Sequence, residues 1–325
     1  MTLSPYAERL ISEYLSKATR RGRLSPESAK DYRRVLRYIF SSLDIAGLEW
    51  RPSRVGEKEI DFIRNDMFPC AKPETVRWYL SIFNGMLKQA DNDVVEKMML
   101  GWPQNVRTNV DWLTPHEALA LIRSAEGVER PVIHLELRLW FRRIEVRRLR
   151  AQDIKEELFD VHGKGRCGGK WRSVAWGPDT LAVLLEWEEL RERMIEEARA
   201  LNSKAAVPDQ WIIYRKGRSL GAYGNTSIDN IVASAARRAG IERGVSNHTL
   251  RRTGGRIAYY AGVPLVEIME GMGHTSEKQT IRYLGLRVDE LKKAQERIYA
   301  YLQELEKENK DRELPRPMPE RRISR

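Results

Sequence analysis

The chain has 325 residues, 42% hydrophobic and 32% charged, enough for two domains with buried cores and a solvated surface. Its formal net charge of +11 points to a polyanionic partner, nucleic acid first, although a solvated surface rich in Lys and Arg would carry the same charge. Cys70 and Cys167 form no CxxC pair and lie far from any histidine cluster, against a disulfide framework or a zinc site. The start MTLSPYAERLISEYL lacks the features of a signal peptide, and no apolar run approaches spanning length, so the expectation is a cytoplasmic protein with no membrane partner.

The first hundred residues read as four or five helices. Ser4-Pro5 and Ser25-Pro26 each look like an N-cap followed by proline at the first helical position. After Ser25, the residues Tyr32, Val35, Leu36, Ile39 and Phe40 recur at helical spacing. A third helix is expected over 57–68, with Ile60, Ile63 and Met67 on one face. A fourth is expected over 73–90, with Val76, Leu80, Phe83 and Leu87 in register. The stretch 101–109 has no periodicity and reads as a linker. Thr114-Pro115-His116-Glu117 is a capping-box signature and opens a new helix and a new domain.

That second domain reads as mixed. Two short strands are expected over 158–161 and 171–176, around the basic glycine-rich turn 163–170. Helix resumes over 179–201 and continues through most of the remainder, with a further short strand over 211–214. Val288, Leu291, Ala294, Ile298, Leu302 and Leu305 form an amphipathic stripe, suited to packing on its own domain or on a neighbouring protomer. The last residues, with Pro315, Pro317, Pro319 and several arginines, look disordered. The fold class is therefore mainly α with a small β-hairpin: a helical N-terminal domain and an α+β second domain.

Cutting a DNA strand without water or metal sets definite demands. A side-chain oxygen must attack phosphorus, fixed cations must face the non-bridging oxygens, and an acid must protonate the leaving sugar oxygen. Arginine suits the second task because its planar fork grips two oxygens and stays charged. Ser246-Asn247-His248-Thr249-Leu250-Arg251 supplies His248 and Arg251 three residues apart, on one helix face. Gly271-Met272-Gly273-His274 follows, with glycines that permit a tight turn, and Tyr283 stands nine residues after His274. Taken singly, each of these is common on ordinary helices.

Their order resembles the tyrosine recombinase family (phage integrase, Xer-like). That family also has an Arg-x-x-Glu unit upstream, then a lysine on a β-hairpin. Here Arg142-Arg143-Ile144-Glu145 and Gly163-Lys164-Gly165 stand in the right order, and Leu113-Thr114-Pro115-His116-Glu117-Ala118 resembles the start of the family's catalytic domain. The resemblance covers most of 112–285. It implies that Arg142 and Arg251 clamp the scissile phosphate and that His248 contacts it and manages the tyrosine proton. His274 would add a hydrogen bond to it, and Lys164 would protonate the leaving 5′ oxygen. Tyr283 would form a 3′-phosphotyrosyl link, with Glu145 orienting the cations from behind. No cofactor is implied.

The resemblance further implies a core-binding DNA clamp over 1–100, a linker over 101–111, a catalytic domain over 112–287 and a C-terminal helix and basic tail over 288–325. The implied partners are double-stranded DNA attachment sites and a tetramer on DNA assembled through the C-terminal helix. Lys17, Arg20, Arg21, Arg23, Lys30, Arg33, Arg34, Arg37, Lys72 and Arg77 are candidate phosphate contacts. The composition fits a heat-adapted, archaeal source, and within the resemblance the divergence from the Xer pattern implies a mobile-element integrase. Chromosome dimer resolution, type IB topoisomerase-like relaxation and non-catalytic DNA binding are the alternatives. Three departures stand out: Trp140-Phe141 where the family has Gly-Leu, Arg143 beside Arg142, and Lys170 as a rival to Lys164 in a long hairpin turn.

Overall fold

A computed structural model describes residues 3–103, 111–163, 169–286, 293 and 295–304. It divides into two compact units, Met1–Arg107 with Val161–Arg172, and Thr108–Asp160 with Ser173–Arg325.

The first unit is helical. α1 (Pro5–Arg20) and α2 (Pro26–Ile45) begin as the sequence predicts: Ser4 and Ser25 accept from the Ala7 and Ser28 amides, with proline first in each helix. α3 (Glu57–Asp61) runs into a π-turn over Phe62–Asp66, closed by the Met67 amide on the Phe62 carbonyl at 2.9 Å. The expected helix over 57–68 is thus a short α-helix plus one wider turn, with Ile60, Ile63 and Met67 still buried. α4 (Pro73–Gln89) and the short α5 (Val94–Lys97) complete the set. Leu36, Ile39, Phe40, Leu80, Phe83 and Leu87 form the centre of the core. Phe40 and Phe83 meet edge-on at 6.0 Å, a contact worth about 0.5–1.5 kcal/mol beyond the area it buries.

Some of the expected phosphate contacts are engaged within the unit. Glu8 pairs with Arg33 at 3.8 Å and Arg37 at 2.5 Å. Residues 104–110 of the linker lie outside the described residues, as do Lys164 and Cys167.

In the second unit, α6 (Pro115–Ser124) starts at Thr114 with both capping-box bonds in place. α7 (Glu129–Ile133) passes into a second π-turn, His134–Arg138, and α8 (Arg143–Arg148) follows. β1 (Leu158–His162) and β2 (Trp171–Ala175) form the expected hairpin, whose far end, Val161–Arg172, is grouped with the first unit and has the Gly163 amide on the Lys170 carbonyl at 2.8 Å. α9 (Pro178–Leu201) leads to β3 (Ile213–Lys216) and β4 (Ser219–Ala222), an antiparallel pair with Lys216 opposite Ser219. The expected strand over 211–214 thus begins later and has a partner. Gly217 opens the two-residue turn at φ +59°, the position a type II′ turn reserves for glycine. α10 (Asn225–Arg238), α11 (Asn247–Tyr260), α12 (Leu265–Met272) and α13 (Glu277–Leu284) carry the chain to the candidate site.

Of the C-terminal stripe, Ile298 and Leu302 are helical and 52% exposed, while Val288, Leu291, Ala294 and Leu305 lie outside the described residues, as does the proline-rich tail. No helix among the described residues is long and apolar enough to cross a membrane.

Candidate active site

Arg142 is positioned by a strained approach. The π-turn over His134–Arg138 packs against α11, and the chain then passes through Trp140 at φ +57°. A left-handed conformation costs a tryptophan about 1–2 kcal/mol. Two glycines accommodate its indole. A Cβ at Gly271 would stand 2.6 Å from the ring, and one at Gly254 would stand 3.0 Å from it while also striking the Leu137 carbonyl. The Trp140 carbonyl accepts from the Arg251 guanidinium, so the unusual backbone is tied directly to a candidate phosphate clamp.

Arg142 then caps α8. Its amide donates to Glu145 Oε2 at 2.7 Å, Nη1 donates to Glu145 Oε1 at 2.9 Å, and Nη2 reaches the Gly273 carbonyl at 3.3 Å. Glu145 is 2% exposed, and its Oε2 stands 3.8 Å from Arg251 Nη1. One buried carboxylate therefore holds two guanidiniums. The neighbouring Arg143 pairs with Asp229 of α10, which also accepts from the Asn247 side chain.

α11 begins at Ser246, whose hydroxyl accepts from the Thr249 amide at 3.1 Å. His248 stands exposed in its first turn. Arg251, one turn on, is 1% exposed and also donates to the Met272 carbonyl. α12 ends at Gly273, left-handed at φ +61°, and the His274 amide closes on the Met269 carbonyl at 2.9 Å. The expected tight turn before His274 is this cap. His274 Nδ1 meets the hydroxyl of buried Thr280 at 3.0 Å, fixing the ring.

Tyr283, in the last turn of α13, comes to rest between the two histidines. Its hydroxyl lies 3.5 Å from His248 Nδ1 and 3.4 Å from the His248 carbonyl, and the edge-on His274 ring is centred 5.1 Å from the centre of the Tyr283 ring. Arg252 stands 5.0 Å from the centre of the phenol ring and donates to the Tyr283 carbonyl at 2.8 Å. Burial pushes the Tyr283 phenol above its ordinary range, while Arg251, Arg252 and Arg142 pull it back.

The second unit therefore brings Arg142, Glu145, His248, Arg251, His274 and Tyr283 together. Lys164 lies outside the described residues. Its rival Lys170 is described and exposed. Sequence reasoning assigned no role to Arg252, Thr280 or the Trp140 carbonyl. Thr280 stands one turn before Tyr283 on the same helix, which was the available signal. Cations grouped around a phenol and two imidazoles suit an anionic oxygen centre such as a phosphodiester.

The Phage integrase family model matches residues 111–314. The chain belongs to that family. Among curated relatives of this integrase-family chain, tyrosine recombinase XerC of Bifidobacterium longum (strain DJO10A) is 29% identical over 140 residues, which is 43% of this chain and 38% of the relative. The match thus spans well under half the length of that relative. Among solved structures, XerH site-specific recombinase bound to difH substrate aligns at TM-score 0.61 and 16% identity over 90% of this chain and 97% of that one. A lambda integrase tetramer bound to a Holliday junction aligns at TM-score 0.58 and 15% identity over 85% and 76%. At these identities, the alignments establish that the integrase-family chain has the tyrosine recombinase fold.

Proposed function

We propose that the protein is a site-specific DNA recombinase that cuts and rejoins strands through Tyr283. The observation that carries this reading is the Tyr283 hydroxyl within reach of His248, in a site where one buried carboxylate, Glu145, holds both Arg142 and Arg251. In the first step the Tyr283 oxygen bonds to phosphorus as its proton passes to His248. The bond from phosphorus to the 5′ oxygen breaks, and Lys164 supplies the proton that oxygen takes up. Arg142, Arg251 and His274 stabilise the charge on the non-bridging oxygens. The product is a 3′-phosphotyrosyl link and a free 5′ hydroxyl. Attack by a 5′ hydroxyl from a second duplex reverses the step and exchanges strands, with the phosphodiester energy conserved in the link.

In this reading residues 1–100 form a DNA clamp, 101–111 a linker, 112–287 the catalytic domain and 288–325 a helix and tail that join protomers into a tetramer on DNA. The exposed Ile298 and Leu302 suit that last role. The work is that of a cytoplasmic mobile-element integrase. The deciding experiment offers the protein a nicked duplex carrying a candidate attachment site and seeks a covalent DNA–protein adduct on a denaturing gel. An adduct lost in Tyr283→Phe, with exchanged strands from paired sites, is the expected result. Relaxed circles without exchange would favour a topoisomerase, and tight binding without an adduct would leave only a DNA-binding protein.

A further inference from the structure

Arg252 touches more of the nucleophile's surroundings than its place beside Arg251 would suggest. Its Nε donates to the Tyr283 carbonyl at 2.8 Å, its charge stands 5.0 Å from the Tyr283 ring centre, and its Nη1 donates to the Asp111 carbonyl at 3.0 Å. Asp111 and the next two residues are fixed to α11 and its flanks several times over. Thr249 donates to the Asp111 carboxylate at 3.4 Å, the Leu113 amide to Thr253 at 2.8 Å, and Arg243 to the Trp112 carbonyl at 3.0 Å. One turn further along α11, Arg256 repeats the arrangement. It lies 3.7 Å from the Trp112 ring centre and donates to the Leu284 carbonyl at 2.7 Å. Two guanidiniums on one helix face thus join the segment entering the catalytic unit to the helix end that carries the nucleophile.

We propose that Arg252 is a positioning residue for strand cleavage, holding the Tyr283 backbone and ring in place and anchoring both to Asp111. This rests on the recombinase reading for its catalytic consequence alone; the link itself is a property of the free protein. A planar fork suits the task because it donates in two directions while presenting a flat charge to the phenol. The other groups that face Tyr283 are Arg251 and His248 from α11, Arg142 from the start of α8 and His274 from the turn before α13. Arg252 is bonded to the Tyr283 backbone itself.

The test compares Arg252→Gln and Arg252→Lys with wild type in the full-length chain. Without DNA, amide exchange across 277–286 is expected to be roughly tenfold faster in Arg252→Gln, the consequence of losing a charged donor, with exchange in α10 unchanged. With DNA, affinity for the duplex holds while the rate of adduct formation falls about 10²-fold. The rise of that rate with pH moves to higher pH, because one cation beside the phenol is gone. Arg252→Lys keeps the charge, so its pH profile stays near wild type while its exchange remains fast. Unchanged exchange in 277–286, or a rate loss in Arg252→Gln equal at every pH, would overturn the proposal. Faster exchange in a protein whose wild type forms no adduct would instead uphold the link and sink the recombinase reading.

Discussion

The Tyr283 hydroxyl and Nδ1 of His248 lie 3.5 Å apart although 35 residues separate them in the chain, because α11 and α13 pack together at the end of the second unit. In the proposed reaction that distance would let the imidazole take the phenol proton as the oxygen attacks phosphorus.

In the proposed reaction, replacing Tyr283 by Phe removes the attacking oxygen and leaves the ring's packing intact. The adduct on a nicked duplex is expected to vanish while binding, read by gel shift, persists. His248→Ala retains the nucleophile but loses its proton acceptor, so single-turnover cleavage should fall by about 10²–10⁴-fold. A wild-type rate in His248→Ala would remove the imidazole from the mechanism.

Glu145 is a stability residue as well as an organiser of charge. It is 2% exposed and bonds the Arg142 amide and guanidinium, with Arg251 3.8 Å away. Glu145→Ala leaves buried positive charge uncompensated and should cost about 3–5 kcal/mol in urea unfolding. Glu145→Gln keeps one acceptor and should cost less, about 1–3 kcal/mol. Equal losses in the two variants would show that charge alone, not shape or a remaining acceptor, is what this position supplies.

The contrast between Glu145 and Arg252 marks how far the sequence could be read. Arg142, Glu145, His248, Arg251, His274 and Tyr283 stand in short motifs of fixed spacing, and such motifs are visible in a string of letters. Arg252 acts on a backbone carbonyl 31 residues away, and no local pattern encodes that. N-cap signals and apolar periodicity located α1, α2, α4 and α6, since both are local. The π-turns were hidden because a widened turn barely disturbs the apolar spacing around it. β4, Ser-Leu-Gly-Ala, has no β-branched or aromatic residue and becomes a strand only through its pairing with β3. Trp140 was legible as a packing anomaly. Its left-handed backbone was not, because two distant glycines make room for the ring.

One of those glycines, set against a glycine in open space, gives a paired test. Gly254→Ala would set a methyl against the Leu137 carbonyl and the Trp140 ring, so the π-turn that leads to Arg142 must move. A loss of about 1–3 kcal/mol is expected, together with slower cleavage. Gly244→Ala points into open space with no left-handed backbone to strain, and should change stability by no more than about 0.5 kcal/mol. Similar melting temperatures for the two variants would contradict the packing account of Trp140.

His134 should make stability fall on acidification. Its Nε2 meets the Thr180 hydroxyl at 2.8 Å, and burial lowers its pKa to about 4, with Asp179 opposing and Arg138 and Arg130 reinforcing the shift. Above pH 6.5 the ring is neutral in both folded and unfolded chains. Between 6.5 and 4 the unfolded chain binds the proton first, so stability drops by about 3 kcal/mol across that window. Glu136 works in the opposite sense. It is fully buried, and burial raises its pKa well above the ordinary value, so ionisation of the unfolded chain costs stability as pH rises above 4.5. The raw profile therefore mixes two slopes, and the informative quantity is the difference between wild type and His134→Gln. That difference should shift against wild type as pH falls from 6.5 to 4, and a flat difference would mean that His134 titrates as freely in the folded chain as in the unfolded one.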